Sequence, residues 1–558
     1  MIRAHAALAR LRVGAAGATL FCGALLALAS GCASEERGTP PPRDQLYFPS
    51  GLLLDWGRDP STGLVDRRRV RLFVTNANAD LRYSGGTLTA LDLSRLPDDL
   101  SATAQAVAGQ ALRCAPDPIE IDRWQCPAEQ FVVPSATLRL GDFPGELRLH
   151  ELSSSRRLLT PVRGQSQLGW AEIVELDDGG VDLRCHAGVS AGCGGVGLDA
   201  DCPVWDCDAT HRVTTSERTD ARIPPEPFGI EVNAAVAVYR AADGTRRTCR
   251  DGLVPAPSCS CPPEQACVAG QASACCEPPP ADLAHIYLSH LEGGEVSVLA
   301  SSPEGVRLQD ERSGLFGGST PVGGGYGVVS SRPGDLSARV WVSSRFDNTL
   351  SSFVVRDARR LIVTERLAPS VLDPGNDLRG LAFGPGGQML YVASQQPPAL
   401  LALQMTGTPG AAESRTSFGQ ALWVTDLCVG PSAVTLGPHP ASLDDPSRQV
   451  AYVTCFAEDG IAVVDLAQGA LLGQIATGRG PTTLALDVGS LQPCGTAADC
   501  PDVDARCAGQ RCLRQHPRAF ISNFLENTVG VIDLDPQHPA FGRMVLRLGT
   551  RRDLVGDL

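Results

Sequence analysis

Short apolar runs alternate with polar turns along most of the chain. The clearest example is at the C-terminus, where turn residues separate the runs Ala519–Asn523, Thr528–Leu534 and Met544–Leu548. Pro481–Asp487 supplies a fourth run upstream. Apolar runs of this length bounded by turn residues are typical of strands. Four such strands make one small antiparallel sheet, which must pack against similar sheets to be stable.

The first C-terminal run has relatives throughout the chain. Each copy is a five-residue, largely apolar run, and most copies are followed by a second β-favouring run. The copies are Leu72–Asn76, Leu158–Val162, Ile286–His290, Val340–Ser344, Leu390–Ser394, Ala451–Cys455 and Ala519–Asn523. A supersecondary unit that recurs in this way indicates a repeat architecture, here with seven units.

Three of these stretches carry a family resemblance. Leu72-Phe-Val-Thr-Asn76, Thr87–Leu93 and Gly478–Asp487 resemble the YVTN-type β-propeller repeat. The resemblance implies an all-β fold, a seven-bladed β-propeller of four-stranded antiparallel blades around a central channel, over residues 46–558. We expect each blade to be contiguous in sequence. Blade one would then close the ring by packing on blade seven, without a shared sheet.

The spacing between copies exceeds the length of a bare blade, which predicts loop insertions. Residues 94–130, 176–282 and 491–517 are taken as cysteine-rich loops, within which the cysteines are expected to pair locally as disulfides. Cys428 is expected to pair with Cys455. The alternative is that cysteines bind zinc instead of forming disulfides. The disulfide candidates are Cys114, Cys126, Cys185, Cys193, Cys202, Cys207, Cys249, Cys259, Cys261, Cys267, Cys275, Cys276, Cys428, Cys455, Cys494, Cys500, Cys507 and Cys512.

The N-terminus has the pattern of an export signal. A basic start is followed by the apolar run Val13–Leu28 and by small residues before Cys32. This resembles a bacterial lipoprotein signal peptide (residues 1–31), which would make Cys32 the lipid attachment site and residues 32–45 a flexible tether. An ordinary cleaved signal is the alternative. A retained membrane helix is disfavoured because the run is short for a bilayer core.

Composition excludes several classes of function. The formal net charge is −14 and every basic residue is an arginine. The acidic balance disfavours a nucleic-acid partner, because phosphate binding needs a basic face. The absence of lysine from the sequence excludes lysine Schiff bases and P-loop phosphate binding. No convincing nucleophile constellation, histidine metal motif or haem-attachment motif occurs in the sequence.

The ends of the repeated runs form a ring of equivalent positions at one face of a propeller. With the residues that follow them they give a possible ligand face: Asn76, Arg163, His290, Arg345 and Asn523. The alternative interpretation is that these side chains satisfy turn hydrogen bonds. Separately, Asp199, Asp201, Asp206 and Asp208 form an acidic cluster that is a calcium candidate, with a solvated loop as the alternative.

These patterns predict an exported repeat protein, lipid-anchored in the cell envelope at the outer membrane or periplasmic face. We expect a binding or scaffold module for a protein or extracellular ligand, with no cofactor and with no membrane contact beyond the lipid. A lactonase-like propeller hydrolase with a site at the channel mouth is the alternative, and a redox propeller is disfavoured. Two or more His, Glu or Asp side chains that meet at the channel mouth would favour the enzyme, whereas Ser, Thr, Asn and apolar groups would favour binding.

Overall fold

A computed structural model describes residues 39–551 with gaps, the longer of which are 59–64, 97–111, 187–205, 249–275, 313–323, 370–375 and 406–417. Seven four-stranded antiparallel sheets surround a central channel, so the predicted seven-bladed all-β propeller is confirmed. The helices in this part of the chain are three-residue 3-10 turns: Leu93–Arg95, Ala128–Gln130, Arg163–Gln165, Ala209–His211, Pro385–Gly387, Pro440–Ser442 and Phe524–Glu526. None of the described helices has the length and apolar character needed to cross a membrane.

Blade one consists of β1, β2, β3 and β6 in that spatial order, from the channel outwards. The strands of the blade and its insertion are β1 (Pro49–Arg58), β2 (Val65–Asn76), β3 (Thr87–Asp92), β4 (Ala115–Pro116), β5 (Trp124–Cys126) and β6 (Val132–Arg139). The insertion leaves the blade after β3 and returns at β6.

Blades two and three follow, and their strands are β7 (Arg148–Glu151), β8 (Arg156–Val162), β9 (Gln167–Glu175), β10 (Val181–Arg184), β11 (Arg212–Val213), β12 (Pro227–Ala234), β13 (Val238–Arg240), β14 (Arg246–Thr248), β15 (Cys276–Glu277), β16 (Ala284–His290), β17 (Val296–Ser302) and β18 (Gly305–Arg312). Blade two is β7 to β10 with β11 added beside β9, and blade three is β12, β16, β17 and β18. Strands β13 to β15 form a separate small sheet.

Part of the range 176–282 therefore belongs to the propeller, in contrast to the prediction of a continuous loop. It contains β10, the outer strand of blade two, and β12, the innermost strand of blade three. Val181 and Leu183 alternate with polar residues on β10 and are buried against the blade. Two apolar positions in a four-residue strand give too weak a periodic signal to be recognised without the fold.

Blades four, five and six are each contiguous and bear no cysteine-rich insertion. Their strands are β19 (Gly325–Ser330), β20 (Val340–Ser344), β21 (Leu350–Arg356), β22 (Arg360–Leu367), β23 (Asn376–Phe383), β24 (Met389–Gln396), β25 (Pro398–Gln404), β26 (Ala421–Asp426), β27 (Pro431–Pro438), β28 (Gln449–Cys455), β29 (Gly460–Asp465) and β30 (Ala470–Ala476). Blade seven consists of β31, β34, β35 and β36, and its insertion folds as the hairpin β32–β33. These strands are β31 (Pro481–Asp487), β32 (Ala505–Ala508), β33 (Arg511–Arg514), β34 (Arg518–Asn523), β35 (Thr528–Asp533) and β36 (Arg543–Leu548).

The ring closes through a shared sheet, and the prediction that it would not is wrong. Strand β5, from the insertion of blade one, pairs in parallel with β36 of blade seven, with Trp124 opposite Leu546. Strand β4 then extends the same sheet. A sheet edge presents unpaired backbone groups, and here the insertion covers the outer edge of blade seven and ties the two ends of the propeller together.

The hydrophobic core lies between neighbouring blades. The second strand of each blade is buried along most of its length, as in β16, β20 and β34. Its large side chains pack against the next blade; Tyr287 of blade three, for example, lies in one cluster with Val342 and Phe353 of blade four. This burial on both faces explains why the second strands gave the clearest repeated runs in the sequence.

The two faces of the disc carry different features. We call the face where the second strands end, at positions such as Asn76 and Asn523, the mouth face, and the opposite face the insertion face. The insertions of blades one and seven leave after Asp92 and Asp487, which pair with the far ends of the neighbouring strands. Both insertions therefore leave their blades at the insertion face.

Five disulfides join described cysteines, and four of them lie in the predicted insertions. The pairs are Cys114–Cys126, Cys185–Cys207, Cys428–Cys455, Cys494–Cys507 and Cys500–Cys512. The other candidates, namely Cys193, Cys202, Cys249, Cys259, Cys261, Cys267, Cys275 and the side chain of Cys276, lie outside the described residues. Cys32 and the other residues of the predicted signal and tether that precede position 39 lie outside them as well.

Candidate ligand site at the channel mouth

The central channel contains a cavity of about 850 Å³ at the mouth face. The innermost strands of all seven blades contribute to its wall. The register of most of these strands is irregular near the mouth, for example between Pro227 and Ile230 of β12 and between Gly325 and Val328 of β19. Such bulges bend a strand and redirect its side chains, so they determine which residues reach the cavity.

Hydroxyl groups on the second strands hold these bulges in place. Ser289 Oγ accepts a hydrogen bond from Gly229 N (3.1 Å) and donates one to Tyr326 O of the next blade (2.6 Å). Ser343 Oγ likewise bonds to Gly327 N (2.9 Å) and to Arg379 O (2.6 Å). Each hydroxyl thus links the innermost strand of its own blade to that of the next blade.

The ring of hydroxyl contacts continues across the closure of the propeller. Thr75 Oγ1 donates to Gly145 O of blade two (2.7 Å), and Thr483 Oγ1 of blade seven donates to Ser50 O of blade one (2.9 Å). The backbone at the mouth is therefore fixed by bonds within the protein. A site on such a backbone needs little ordering when a ligand binds.

Glycine is required where the blades approach most closely. A Cβ on Gly229 would collide with the carbonyl oxygen of Tyr326, and one on Gly327 would collide with that of Arg379. In every blade, the residue that precedes the position equivalent to Gly229 lines the cavity. These seven lining residues are Ser50, Pro144, Phe228, Tyr326, Arg379, Ser432 and Thr482.

Arg379 is held at the mouth by an ion pair and an aromatic ring. Its Nε and Nη2 donate to the two carboxylate oxygens of Asp377 at 2.9 and 2.8 Å, and its guanidinium carbon lies 5.1 Å from the ring centroid of Tyr326. Arg345 Nε lies 3.5 Å from the same carboxylate. Burial raises the pKa of Tyr326 against the opposing charge of Arg379, so the phenol stays protonated and can donate a hydrogen bond.

Arg163 brings a third guanidinium to the cavity from blade two. It pairs with Glu226 (3.1 Å), and its guanidinium carbon lies 5.6 Å from the ring of Phe143 and 5.8 Å from that of Phe228. The Phe228 ring is in turn 4.5 Å from that of Tyr326, measured between centroids. Arg163 Nε is buried without a hydrogen-bond partner among the described residues. Buried donors are normally satisfied, so this atom has unused capacity for an acceptor.

The rest of the rim is apolar or carries hydroxyl groups. Phe456 and Phe524 line the cavity on the side of blades six and seven, with ring centroids 6.3 Å apart, and Ser432 and Thr482 lie beside them. The mouth therefore has a cationic side on blades two, four and five and an aromatic side on blades six and seven.

Further charges lie deeper in the channel. Glu146 and Arg148 line the wall from blade two and pair at 2.9 Å. Glu231 on β12 accepts a hydrogen bond from Ser330 N (3.2 Å). Burial raises the pKa of Glu231 to about 7; Arg148 opposes this shift and Glu146 adds to it. Glu231 is therefore the one described carboxyl beside the channel whose pKa is placed near neutrality.

Two of the five residues of the predicted ligand face, Arg163 and Arg345, line the cavity. Asn76 and Asn523 are buried and bond within the blades; Asn523 Oδ1, for example, accepts from Gly478 N (3.0 Å). His290 is also buried, between Pro225 O (3.1 Å) and Ser297 Oγ (3.0 Å), and burial lowers its pKa to about 4. These three side chains therefore make turn and packing contacts, which was the alternative interpretation of the predicted ligand face.

The described half of the acidic cluster is engaged by protein groups. Both carboxylate oxygens of Asp206 bond to the guanidinium of Arg139, and Asp208 Oδ1 accepts from Thr210 N (2.9 Å) and His211 N (3.1 Å). Asp199 and Asp201 lie outside the described residues. A calcium ion at this cluster would have to displace the ion pair of Asp206.

The side chains at bulges were missed in the sequence. Phe228, Tyr326 and Arg379 each precede a glycine at the start of an innermost strand, as do Ser50 and Pro144. A recurring dipeptide of any residue followed by glycine, placed before five of the seven repeated runs, is the signal that marks them. Its meaning depends on the contact between blades, which the sequence alone does not show.

Comparison with known proteins adds little beyond the fold. No protein-family model matches the chain, and no curated protein matches it. Among solved structures, the chain is similar to the periplasmic gluconolactonase PpgL of Pseudomonas aeruginosa, with 13% identity, a TM-score of 0.38, and coverage of 78% of this chain and 96% of that one.

Two further structures show similarity at the same level. A protein described as a putative 6-phosphogluconolactonase of Bacteroides uniformis shares 10% identity at a TM-score of 0.38, over 73% of this chain and 82% of that one. Sqt1 of Chaetomium thermophilum shares 12% identity at a TM-score of 0.42, over 90% of this chain and 88% of that one. Because the sequence identities and TM-scores are this low, we infer function from the site itself.

Proposed function

We propose that the protein is a binding module that captures an organic anion at the channel mouth. The observation that carries this proposal is the convergence of Arg163, Arg345 and Arg379, from three blades, on one cavity. The chain as a whole has a net charge of −14. Three arginines on one cavity therefore concentrate positive charge locally in a chain that is acidic as a whole.

The chemistry of the mouth indicates the kind of ligand. A guanidinium group binds carboxylate or phosphate through paired hydrogen bonds. Glu226 and Asp377 orient these arginines, so the mouth has three arginines against two carboxylates. The aromatic side, with Phe456 and Phe524, suits an apolar or ring-shaped part of the same ligand.

A screen of matched ligands tests this proposal. We expect gluconate or a sugar phosphate to raise the melting temperature of the exported chain, and glucose to leave it unchanged, because a ligand that binds only the folded state stabilises it. The shift should shrink as salt is added, since salt screens partly exposed charges. Equal shifts with charged and neutral sugars, or none with any organic anion in the screen, would exclude an anion site.

The cellular setting is part of the same proposal. We infer export and lipid anchoring at Cys32 in the cell envelope; the signal-like N-terminus and the disulfides, which persist in oxidising compartments, support this. The resemblance to YVTN-type repeats is compatible with an exported, lipid-anchored protein. Palmitate labelling of the wild type that disappears in Cys32→Ala would support the anchor, and labelling that persists would refute it.

A lactonase-like hydrolase is the second candidate, and one observation favours it. Glu231 has a pKa of about 7 beside the channel, which suits a general acid or base at neutral pH. The other carboxylates at the mouth are held in ion pairs with arginine, and no histidine lines the cavity among the described residues. Lactone opening that is lost in Glu231→Gln would support the hydrolase, whereas a rate equal to the uncatalysed rate would exclude it.

A further inference from the structure

Two histidines and two aspartates meet at the insertion face of blade seven, on the opposite side of the disc from the channel mouth. His516 lies just before β34, at the end of the cysteine-rich insertion, and Asp533 ends β35. Asp535 and His538 belong to the turn between β35 and β36. The chain thus brings together residues from two separate segments.

One carboxylate oxygen lies between the two imidazoles. Asp535 Oδ2 is 3.0 Å from His516 Nδ1 and 3.5 Å from His538 Nε2. The two rings stack with centroids 5.1 Å apart and an interplanar angle of 22°. One ligand atom from each of the three residues lies within 4.8 Å of the others, a spacing that permits a shared metal ion.

The side chains of this cluster are fixed from behind. Asp533 Oδ2 lies 2.9 Å from His538 Nδ1, and Asp533 Oδ1 accepts a hydrogen bond from Asp535 N (2.8 Å). Asp535 Oδ1 accepts from Gln537 N (3.0 Å), which leaves Oδ2 as the oxygen that faces the histidines. In metal sites, a ligating histidine commonly donates its other ring N–H to a carboxylate, which orients the ring. Asp533 has this relation to His538.

We propose that His516, Asp535 and His538 bind a divalent transition-metal ion, with Asp533 as the positioning residue for His538. Two imidazoles and one carboxylate, with a further position for water, are a common zinc donor set. Imidazole also suits copper, iron and nickel, whereas calcium and magnesium prefer oxygen donors. The bound ion would tie the end of the insertion to the β35–β36 turn, in addition to the disulfides of the insertion.

The cysteines in the insertion of blade seven form a second group of possible metal ligands. Cys494, Cys500 and Cys512 are also close enough together to share an ion, but the structure joins them in the disulfides Cys494–Cys507 and Cys500–Cys512. A cysteine side chain must be reduced and deprotonated to bind metal. The test must therefore distinguish nitrogen and oxygen ligands from sulfur ligands.

The test uses the disulfide-bonded exported chain, stripped of metal and titrated with zinc by calorimetry at neutral pH. We expect one equivalent to bind to the wild type, and no such binding in His516→Gln, Asp535→Asn or His538→Gln. In Asp533→Asn, binding should weaken about 10–100-fold, the usual effect of losing a carboxylate that orients a ligand. His439→Gln is the control, because His439 lies on the same face and bonds to Ala441 N and Arg448 instead of a carboxylate. It should bind zinc as the wild type does.

Two further readouts keep the result independent of folding defects. Zinc should raise the melting temperature of the wild type and of His439→Gln but not of His538→Gln. The cobalt complex should lack a thiolate charge-transfer band. Failure of the wild type to bind zinc, binding that survives in both His516→Gln and His538→Gln, or a cobalt–thiolate band would each overturn the proposal.

Discussion

The guanidinium of Arg547 and the carboxylate of Asp117 form a fully buried ion pair between opposite ends of the sequence. Arg547 lies on β36 of blade seven, and Asp117 lies in the insertion of blade one. Glu120 (2.7 Å) and Glu526 (3.2 Å) complete the contacts of the same guanidinium. The pair lies beside the parallel pairing of β5 with β36, so charge and sheet together close the propeller.

Removing Arg547 should therefore weaken the closure of the ring. In Arg547→Met the buried carboxylate of Asp117 loses its arginine partner and Glu526 keeps only Arg551 (3.4 Å). Uncompensated buried charge costs about 3–5 kcal/mol. Urea denaturation should show a loss of this size. Arg543→Gln, an exposed position on the same strand, is the control and should change stability by less than about 0.5 kcal/mol. Equal effects at the two positions would contradict the role given to Arg547.

The disulfide Cys114–Cys126 should stabilise the same closure. It encloses a short loop whose second cysteine ends β5, and removal of such a bond typically costs about 2–4 kcal/mol. In the double variant Cys114→Ser/Cys126→Ser, amide exchange of β36 should accelerate. The matched control Cys500→Ser/Cys512→Ser alters a disulfide confined to the insertion of blade seven. Faster exchange of β36 in the control as well would show that the effect is not specific to closure.

Gly229 should not tolerate a side chain. A methyl group there would collide with the Tyr326 carbonyl oxygen of the next blade, and overpacking of this kind typically costs about 1–3 kcal/mol. Gly473, on the outer strand β30, has open space around its Cβ position. Gly473→Ala should therefore be neutral or slightly stabilising, because it restricts the unfolded chain. Thermal melts of the two variants give the comparison, and equal melting temperatures would contradict the tight contact between blades.

The raised pKa of Glu231 predicts a specific dependence of stability on pH. Its folded pKa, about 7, lies above the ordinary value of 4.5, so the folded state holds the proton more tightly than the unfolded state. The stabilising contribution is complete below pH 4.5 and is lost as the pH rises through 7. Relative to wild type, Glu231→Gln should gain about 3 kcal/mol of stability across this window. A constant difference between wild type and variant from pH 4.5 to 7 would contradict the shift.

The blades could be predicted from the sequence, but the closure and most of the site could not. The second strands are buried on both faces, so runs such as Val340–Ser344 stood out. The pairing of β5 with β36 joins short segments far apart in sequence and has no periodicity. Arg163 and Arg345 were found because they directly follow repeated runs. Phe228 and Arg379 were missed because bulges, set by contact with the next blade, bring them to the cavity.

The most direct test of the central claim is a calorimetric comparison of the channel-mouth variants with the organic anion that binds best in the screen. Arg163→Gln and Arg379→Gln should each weaken binding at least about tenfold, because a lost hydrogen bond to a charged group is worth about 1.5–3 kcal/mol. Arg307→Gln, on the outer strand β18 with its charge partly exposed, is the control and should bind as the wild type does. Unchanged affinity in both mouth variants, with their folding intact, would contradict an anion site in the channel.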